Sequence, residues 1–374
     1  MRQLSRERGI ARLAGIGSSK QAADRSSIRH RVRRPARRLI AHVCALTMVV
    51  ILPCTNAHAA DETALRPPPA SAAPSLPRFA SLTFENDFFA GYDRHYTNGI
   101  QFAFLADMRD MPSVLRELPP LRWSVDPQAV VAIGQRIYTP ANLHYSNPDP
   151  QDRPYAGWLY LMGDVHTRAA ATIDHITVSV GVVGPASLAS QGQNAVHRLL
   201  QMRQAQGWNH QIGDELTLMA GFERAWPGIV SNRFNDKQFD LALRTAATVG
   251  NVFTYASAGL VARFGRNLPD DLPVTNISLG PPRDGFRGTS AAFGWYVWLG
   301  IDSRAVARNI FIDGNTFHDS PHVSRVPYGT DVQLGIAAAW PTARIGFTMV
   351  QRSREFETQV APDRFGQLTV SLAY

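Results

Sequence analysis

The chain has 374 residues, a formal net charge of +8 at pH 7 and 45% hydrophobic residues, so one large domain or two ordinary ones are possible. The positive charge is confined to the N-terminus: residues 1–38 carry twelve Lys or Arg against two acids, and without this +10 the remainder is −2. The basicity therefore belongs to a leader, and no nucleic-acid partner is expected.

The first 59 residues have the order of a secretory signal peptide. The basic region is followed by an uncharged run, 39–53, and by the small-x-small sequence that ends at Ala59. The uncharged run is too short to cross a membrane as a helix. We expect cleavage after Ala59. Both cysteines, Cys44 and Cys54, lie in this leader, so the mature chain has no disulfide.

Residues 60–78 contain five prolines among Ala and Ser, a composition typical of an extended segment. We expect a Pro-rich periplasmic lead-in here, followed by one domain over 79–374. No run of about twenty apolar residues occurs in that domain, which excludes transmembrane helices. Insertion in a membrane would then require a closed β-barrel.

Alternation of apolar and small polar residues is clearest at the C-terminus, where Leu368, Val370, Leu372 and Tyr374 share one face. A last strand with an apolar face and a terminal aromatic is typical of outer-membrane barrels. We expect the strand that ends in Tyr374 to bind the barrel-assembly machinery. The alternative is the last strand of a soluble β-sandwich.

Runs of this kind predict an all-β fold, a transmembrane antiparallel β-barrel of about twelve strands, with both termini in the periplasm. The predicted strands are 79–86, 96–105, 129–138, 156–165, 174–183, 215–225, 239–249, 253–265, 294–303, 330–340, 343–355 and 366–374.

Two segments do not fit this period. Residues 190–204 place Val196, Leu199 and Leu200 at helical spacing, which predicts a short helix on an outer loop. Strand parity places 266–293 in the periplasm, although its length and its Gly and Pro content suit an outer loop.

Parity also brings the loops 87–95, 139–155 and 184–214 to one mouth of the barrel. A histidine there, beside carboxylates and amides, could act as a general base on water. Carboxylates at the rim could hold a hard cation such as Ca²⁺. Each residue also has a plain structural role: Asn86 and Asp87 as turn residues, and Arg153 in an ion pair at the rim.

Six polar motifs follow one another along 79–374. They are Phe84-Glu85-Asn86-Asp87, Asp93-Arg94-His95-Tyr96-Thr97-Asn98-Gly99, Gln135-Arg136-Ile137-Tyr138-Thr139-Pro140, Asp152-Arg153-Pro154-Tyr155-Ala156-Gly157, Gly181-Val182-Val183-Gly184-Pro185, and Gln193-Asn194 through His197 to Gly207-Trp208. Taken in this order, the motifs resemble the lipid A 3'-O-deacylase (LpxR-type) family of outer-membrane enzymes, and the resemblance covers about 79–374.

The resemblance implies a twelve-stranded barrel in the Gram-negative outer membrane, with an outward-facing site that hydrolyses the ester-linked 3' acyl chains of lipid A. Its cofactor would be Ca²⁺, which stabilises the oxyanion. His197 matches the histidine that activates water. Asn86, Asp87 and Thr97 match residues that position water, metal or substrate. The resemblance does not fix the metal ligands, for which Glu85 and Asp87 are candidates.

Two departures from the family concern the substrate. The loop 141–148 lacks the Lys and Arg of relatives, so we expect Arg153 to contact phosphate, with Gln193 and Asn194 as further substrate-binding residues. Arg203 stands six residues after His197, where relatives carry an acid.

Two other functions remain open at this stage. An outer-membrane phospholipase would need an activated serine, and Ser190 lies on the same loop as His197. A small channel, adhesin or structural barrel would need no catalytic group.

Overall fold

The computed structural model describes residues 79–91, 94–106, 127–169, 171–199, 201, 203–273 and 292–373. The predicted leader and lead-in lie outside these residues, as does Tyr374. The described chain forms a closed barrel in which every strand is antiparallel to its neighbour in sequence, and the first strand pairs with the last. The predicted fold class is confirmed.

Twelve strands form the wall, one for each predicted segment. They are β1 Phe79–Asn86, β2 His95–Ala106, β3 Gln128–Thr139, β4 Ala156–Arg168, β5 Ile173–Val183, β6 Glu215–Phe234, β7 Lys237–Gly250, β8 Phe253–Arg266, β9 Gly294–Asn309, β10 Tyr328–Trp340, β11 Ala343–Arg352 and β12 Asp363–Ala373.

Two α-helices interrupt the strand pattern, α1 over Ala189–Leu199 and α2 over Ile310–Asp313. Helix α1 is the helix predicted over 190–204, but it ends earlier. Gln201 has a φ of 56°, a left-handed conformation that ends a right-handed helix. Within the described ranges, no helix has the length and hydropathy to cross a membrane.

The strands alternate as expected for a wall that faces lipid. On β2, Ile100, Phe102 and Phe104 are exposed, whereas Gln101 and Ala103 between them are buried. Successive side chains of a strand point to opposite faces, so the large apolar side chains of β2 lie outside, and Gln101 and Ala103 lie inside. A water-soluble barrel would not expose such a row of large apolar side chains on its outer face.

Aromatic side chains fill the lumen near one end. Phe311 of the short helix α2 is buried and stacks on Tyr138, with ring centroids 4.0 Å apart. Trp158 and Tyr160 of β4 stack beside them at 4.3 Å, and Phe253 contacts Phe311 at 5.4 Å. These rings close the barrel interior at this level.

Buried ion pairs join neighbouring strands on the lumen side of the wall. Asp331 of β10 accepts hydrogen bonds from Arg304 on one side and from Arg352 on the other, each at 2.7 Å. Arg244 likewise binds Glu223 through a 2.6 Å contact. Charges buried this deeply are tolerated because they are paired.

The connections fall at two ends of the barrel. The loop end carries the segments after β1, β3, β5, β7, β9 and β11, and the terminus end carries the others together with both ends of the barrel chain. The three polar loops therefore share the loop end, as predicted. The connection from β8 to β9 lies at the terminus end, also as parity predicted, and its residues 274–291 are outside the described part.

Candidate active site

Helix α1 packs against the outside of the barrel wall. Ile137 of β3 and Gly157 of β4 are register partners, and they share their faces with Ile133 and Leu161, which are about half exposed at 49% and 51%. A Cβ atom at Gly157 would lie 2.1 Å from the Cβ of Ala189 on α1. The absence of a side chain at Gly157 therefore allows the helix to touch the wall.

An apolar cluster and two amide side chains fix the helix there. The cluster consists of Ile137, Leu143, Tyr155, Ala189, Ala205 and Trp208. The indole N–H of Trp208 donates to Oε1 of Gln193 on α1 at 2.8 Å. From the wall, Nε2 of Gln135 donates to the carbonyl of Ser187 at 2.6 Å. Gln193 is thus held in place, and a substrate-binding role for it stays a prediction.

His197 lies on the same helix and is 97% buried, with 3% of its surface exposed. Its Nδ1 is 2.7 Å from the carbonyl oxygen of Arg203. A carbonyl can only accept, so in the neutral ring Nδ1 carries the proton and Nε2 presents a lone pair. This is the tautomer that a general base requires, and the backbone carbonyl of Arg203 orients the ring.

Asn86 ends β1 at the loop end, on the outer face of the wall. Its Oδ1 accepts from the amide of Phe88 at 2.7 Å and caps a short 3₁₀ turn, Asp87–Ala90. Register places Asn86 beside Asn98, and Asn98 beside Ile137. Two strand spacings amount to about 10 Å, so Asn86 lies along the same wall face that α1 covers. In the described part of the chain, nothing hydrogen-bonds its Nδ2, which can donate.

Asp87 and Thr97 lie next to Asn86 and are both buried. The carboxylate of Asp87 accepts from the backbone amide of Arg94, which closes the turn. Thr97 occupies a bulge in β2, where the register shifts between Tyr96 and Asn98. Its hydroxyl is 2.6 Å from that of Thr139. Bulges commonly redirect a side chain beside a functional site. The turn roles of Asn86 and Asp87 are therefore real, and the catalytic roles stay predictions.

Glu85 and Arg153 lie on the lumen side of the wall, away from α1. Glu85 occupies the opposite face of β1 from Asn86 and accepts from the hydroxyl of Tyr96. Arg153 is fully buried, with its guanidinium 4.7 Å from the Tyr138 ring and 3.2 Å from Glu355. The metal role of Glu85 and the phosphate role of Arg153 remain predictions without support from these positions.

Glu355 is charged in this setting. Burial raises its pKa, but Arg352 and Arg153 outweigh burial and hold the pKa below its usual range. The ion pair that Arg153 makes is therefore present at neutral pH. Glu355 lies in the loop after β11, and strand periodicity could not predict that it pairs with Arg153.

A second cluster at the loop end had no assigned role in the sequence. His95 places Nδ1 2.6 Å from Asp363 of β12, and its Nε2 lies 3.4 Å from Asp152. Burial raises the pKa of Asp152, but hydrogen bonds from His95 and from the amide of Ala141 bring the pKa below its ordinary value. The cluster ties β2, β12 and the loop after β3 together next to Thr97.

The family follows from the sequence itself. The model of the family described as "Outer membrane protein LpxR" matches residues 43–374. The chain belongs to the LpxR family. The predicted family and the outer-membrane location are thereby confirmed. No curated protein matches the chain.

A solved structure of the family shares the fold, and other outer-membrane proteins align more weakly. LpxR from Salmonella typhimurium aligns with a TM-score of 0.67 and 18% identity, covering 79% of this chain and 100% of that one. The β domain of the Bordetella autotransporter BrkA aligns at 0.41 and 10%, over 80% and 99%. An outer membrane channel from Pseudomonas putida F1 aligns at 0.36 and 11%, over 82% and 99%. At 18% identity, the alignment with the Salmonella protein shows that the two chains share the barrel fold.

Proposed function

We propose that this LpxR family member is an outer-membrane lipid A deacylase that hydrolyses the ester-linked 3' acyl chains, with its site facing outward. Family membership supports lipid A and lipopolysaccharide as substrate. The observation that carries the chemistry is the bond from His197 to the carbonyl of Arg203, because it leaves Nε2 as an acceptor on a helix held against the wall.

The reaction would use water as the nucleophile. Nε2 of His197 takes a proton from water as the water oxygen attacks the ester carbonyl carbon. Nδ2 of Asn86 donates to the oxyanion that forms, as amide side chains do in oxyanion holes. The intermediate then collapses, the bond to the 3' oxygen breaks, and His197 returns its proton to that oxygen. The products are a fatty acid and lipid A with a free 3' hydroxyl.

Calcium fits the donor types around Asp87. The turn offers a carboxylate, backbone carbonyls and the Asn86 amide, which are oxygen ligands of the kind Ca²⁺ takes. In the described ranges no group of three acidic or histidine ligands forms there, so amide, carbonyl and water oxygens would complete the shell. Bound Ca²⁺ would polarise the ester carbonyl.

We expect a chelator to abolish deacylation and added Ca²⁺ to restore it. Asp87→Asn is expected to raise the Ca²⁺ concentration needed for half-maximal rate at least about tenfold, because it removes a charged ligand. Glu85→Gln serves as the comparison, since Glu85 faces the lumen. Deacylation that persists in excess EDTA would remove calcium from the mechanism.

Mass spectrometry of lipid A from a Gram-negative host that expresses the protein tests the activity directly. We expect lipid A that lacks a 3' acyl or acyloxyacyl group. An unchanged lipid A profile, with the barrel shown to be folded and surface-exposed, would contradict the proposal.

The structure argues against Ser190 as the nucleophile of a phospholipase that uses His197 as its base. Ser190 and His197 lie on one helix, seven residues and about 10 Å of helical rise apart, beyond hydrogen-bond reach. Ser190→Ala is therefore expected to keep full esterase activity, measured on lipid A in micelles. Loss of activity in Ser190→Ala, or inhibition by serine-directed reagents, would favour the phospholipase.

A channel is disfavoured by the filled lumen. Phe311 and Tyr138 stack inside the lumen, and the buried Asp331 ion pairs line its wall. We expect no stepwise conductance when the protein is inserted in planar bilayers. Steady conductance that is unchanged in His197→Ala would instead indicate a pore.

A further inference from the structure

A group of metal-ligand side chains lies at the terminus end of the barrel, away from α1. Asp164 and His166 of β4 and His175 of β5 place their ligand atoms within 4.8 Å of one another. His166 and His175 are register partners, with ring centroids 5.4 Å apart. Asp164 accepts from Nδ1 of His175 at 3.0 Å.

All three side chains point into the lumen. His166 and Asp164 share the face of β4 with the buried residues Met162 and Tyr160, whereas Leu161 on the other face is exposed. The His175 side chain is 15% exposed, so solvent and ions have access to it. The group is thus buried at Asp164 and His166 and reaches solvent only through His175.

A fourth candidate ligand, on a different strand, lies beside the group. Gln128 of β3 is the register partner of His166 and therefore lies on the same lumen face. Gln128 is 94% buried, with 6% exposed, and its Oε1 has no hydrogen-bond partner among the described residues. A buried carbonyl oxygen without a donor costs stability, and coordination to a cation would satisfy it.

We propose that Asp164, His166 and His175, with Gln128 beside them, bind one divalent transition metal, Zn²⁺ in the first place. Two imidazoles and a carboxylate are a donor set that Zn²⁺ and its neighbours prefer over Ca²⁺. Ligand atoms about 2.0–2.1 Å from a tetrahedral Zn²⁺ lie roughly 3.3 Å apart, so the present spacing needs only side-chain adjustment.

The surroundings would orient the ligands. The hydroxyl of Thr177 donates to Oδ1 of Asp164 at 2.8 Å, which fixes the carboxylate in the manner of a supporting hydrogen bond around a metal. Glu223, the register partner of His175 on β6, lies on the same lumen face, where it pairs with Arg244. The metal would join three neighbouring strands, β3, β4 and β5, and its role would be structural, separate from deacylation.

Calorimetric titration with Zn²⁺ tests the site, on protein purified from the outer membrane without a histidine tag and with Ca²⁺ in excess to occupy any hard-cation site. We expect one equivalent to bind. His166→Ala and His175→Ala should each weaken binding at least about a hundredfold, and Thr177→Val by about tenfold or more. His144→Ala, an exposed histidine at the loop end, should bind like the parent protein.

Replacing Zn²⁺ by Co²⁺ gives a second readout that needs no variant. We expect the intense visible absorption of four-coordinate Co²⁺ in the parent protein, abolished by equimolar Zn²⁺. No stoichiometric binding to the parent protein, or equal affinity in the His166→Ala and His175→Ala proteins that keep heat-modifiable mobility, would overturn the proposal.

Discussion

His197→Ala is expected to slow lipid A deacylation by about 10²–10⁴-fold while the barrel stays folded. The imidazole Nε2 is the acceptor that Arg203 leaves available, and alanine offers no substitute. The rate of 3' acyl release would be measured by mass spectrometry on lipid A in mixed micelles. Heat-modifiable mobility on gels would report folding.

His210→Ala is the matched comparison, because His210 lies on the same loop between β5 and β6 but is exposed to solvent. It should retain the parent rate within about twofold. If His197→Ala deacylates lipid A at the parent rate, then another group activates water, and His197 serves only to hold α1 on the wall. Asn86→Ala, measured in the same assay, would then show whether Asn86 on the outer face of the wall contributes to the reaction.

Asp331→Ala is expected to destabilise the barrel by about 3–5 kcal/mol, since it leaves Arg304 and Arg352 buried without their shared carboxylate. Equilibrium unfolding of the protein in urea, followed by tryptophan fluorescence in micelles, measures the change in the free energy of unfolding. Unfolding at lower urea, with an unchanged slope, is the expected result.

Asp236→Ala controls for loss of a charge as such. Asp236 pairs with Lys237 at 3.6 Å, and both side chains are about half exposed, so the effect should stay below about 1 kcal/mol. Equal effects of Asp331→Ala and Asp236→Ala would mean that water enters the lumen and screens the buried pairs.

The strands could be predicted from the sequence because lipid outside and side chains inside impose a strict period of two. Helix α1 was predictable because its apolar residues follow a different period. The residue that determines where α1 docks, Gly157, gives no such signal, since the consequence of its missing side chain appears only when the helix reaches it. Sequence patterns therefore predicted the strands of the wall, but not the place on its outer face where α1 packs.

The ion pairs of the lumen could not be predicted from the sequence for another reason. Arg153 meets Glu355, 202 positions later in the chain, and His95 meets Asp363, 268 positions later. Such pairs depend on how the barrel closes and on the stagger between strands. The alternation of residues along one strand predicts neither. Glu85 and Asn86 belong to the same sequence motif. Adjacent residues of a strand point to opposite faces, so Glu85 faces the lumen and Asn86 faces the outside of the barrel.

The position of α1 on the outer wall has a kinetic consequence. A lipid whose tails remain in the leaflet can reach the helix by diffusing in two dimensions, and it never has to pass through the barrel. The rate should then follow the mole fraction of lipid A in the surface instead of its bulk concentration. Adding inert detergent at a fixed lipid A concentration would slow the reaction by surface dilution, whereas a site inside the lumen would be governed by the bulk supply.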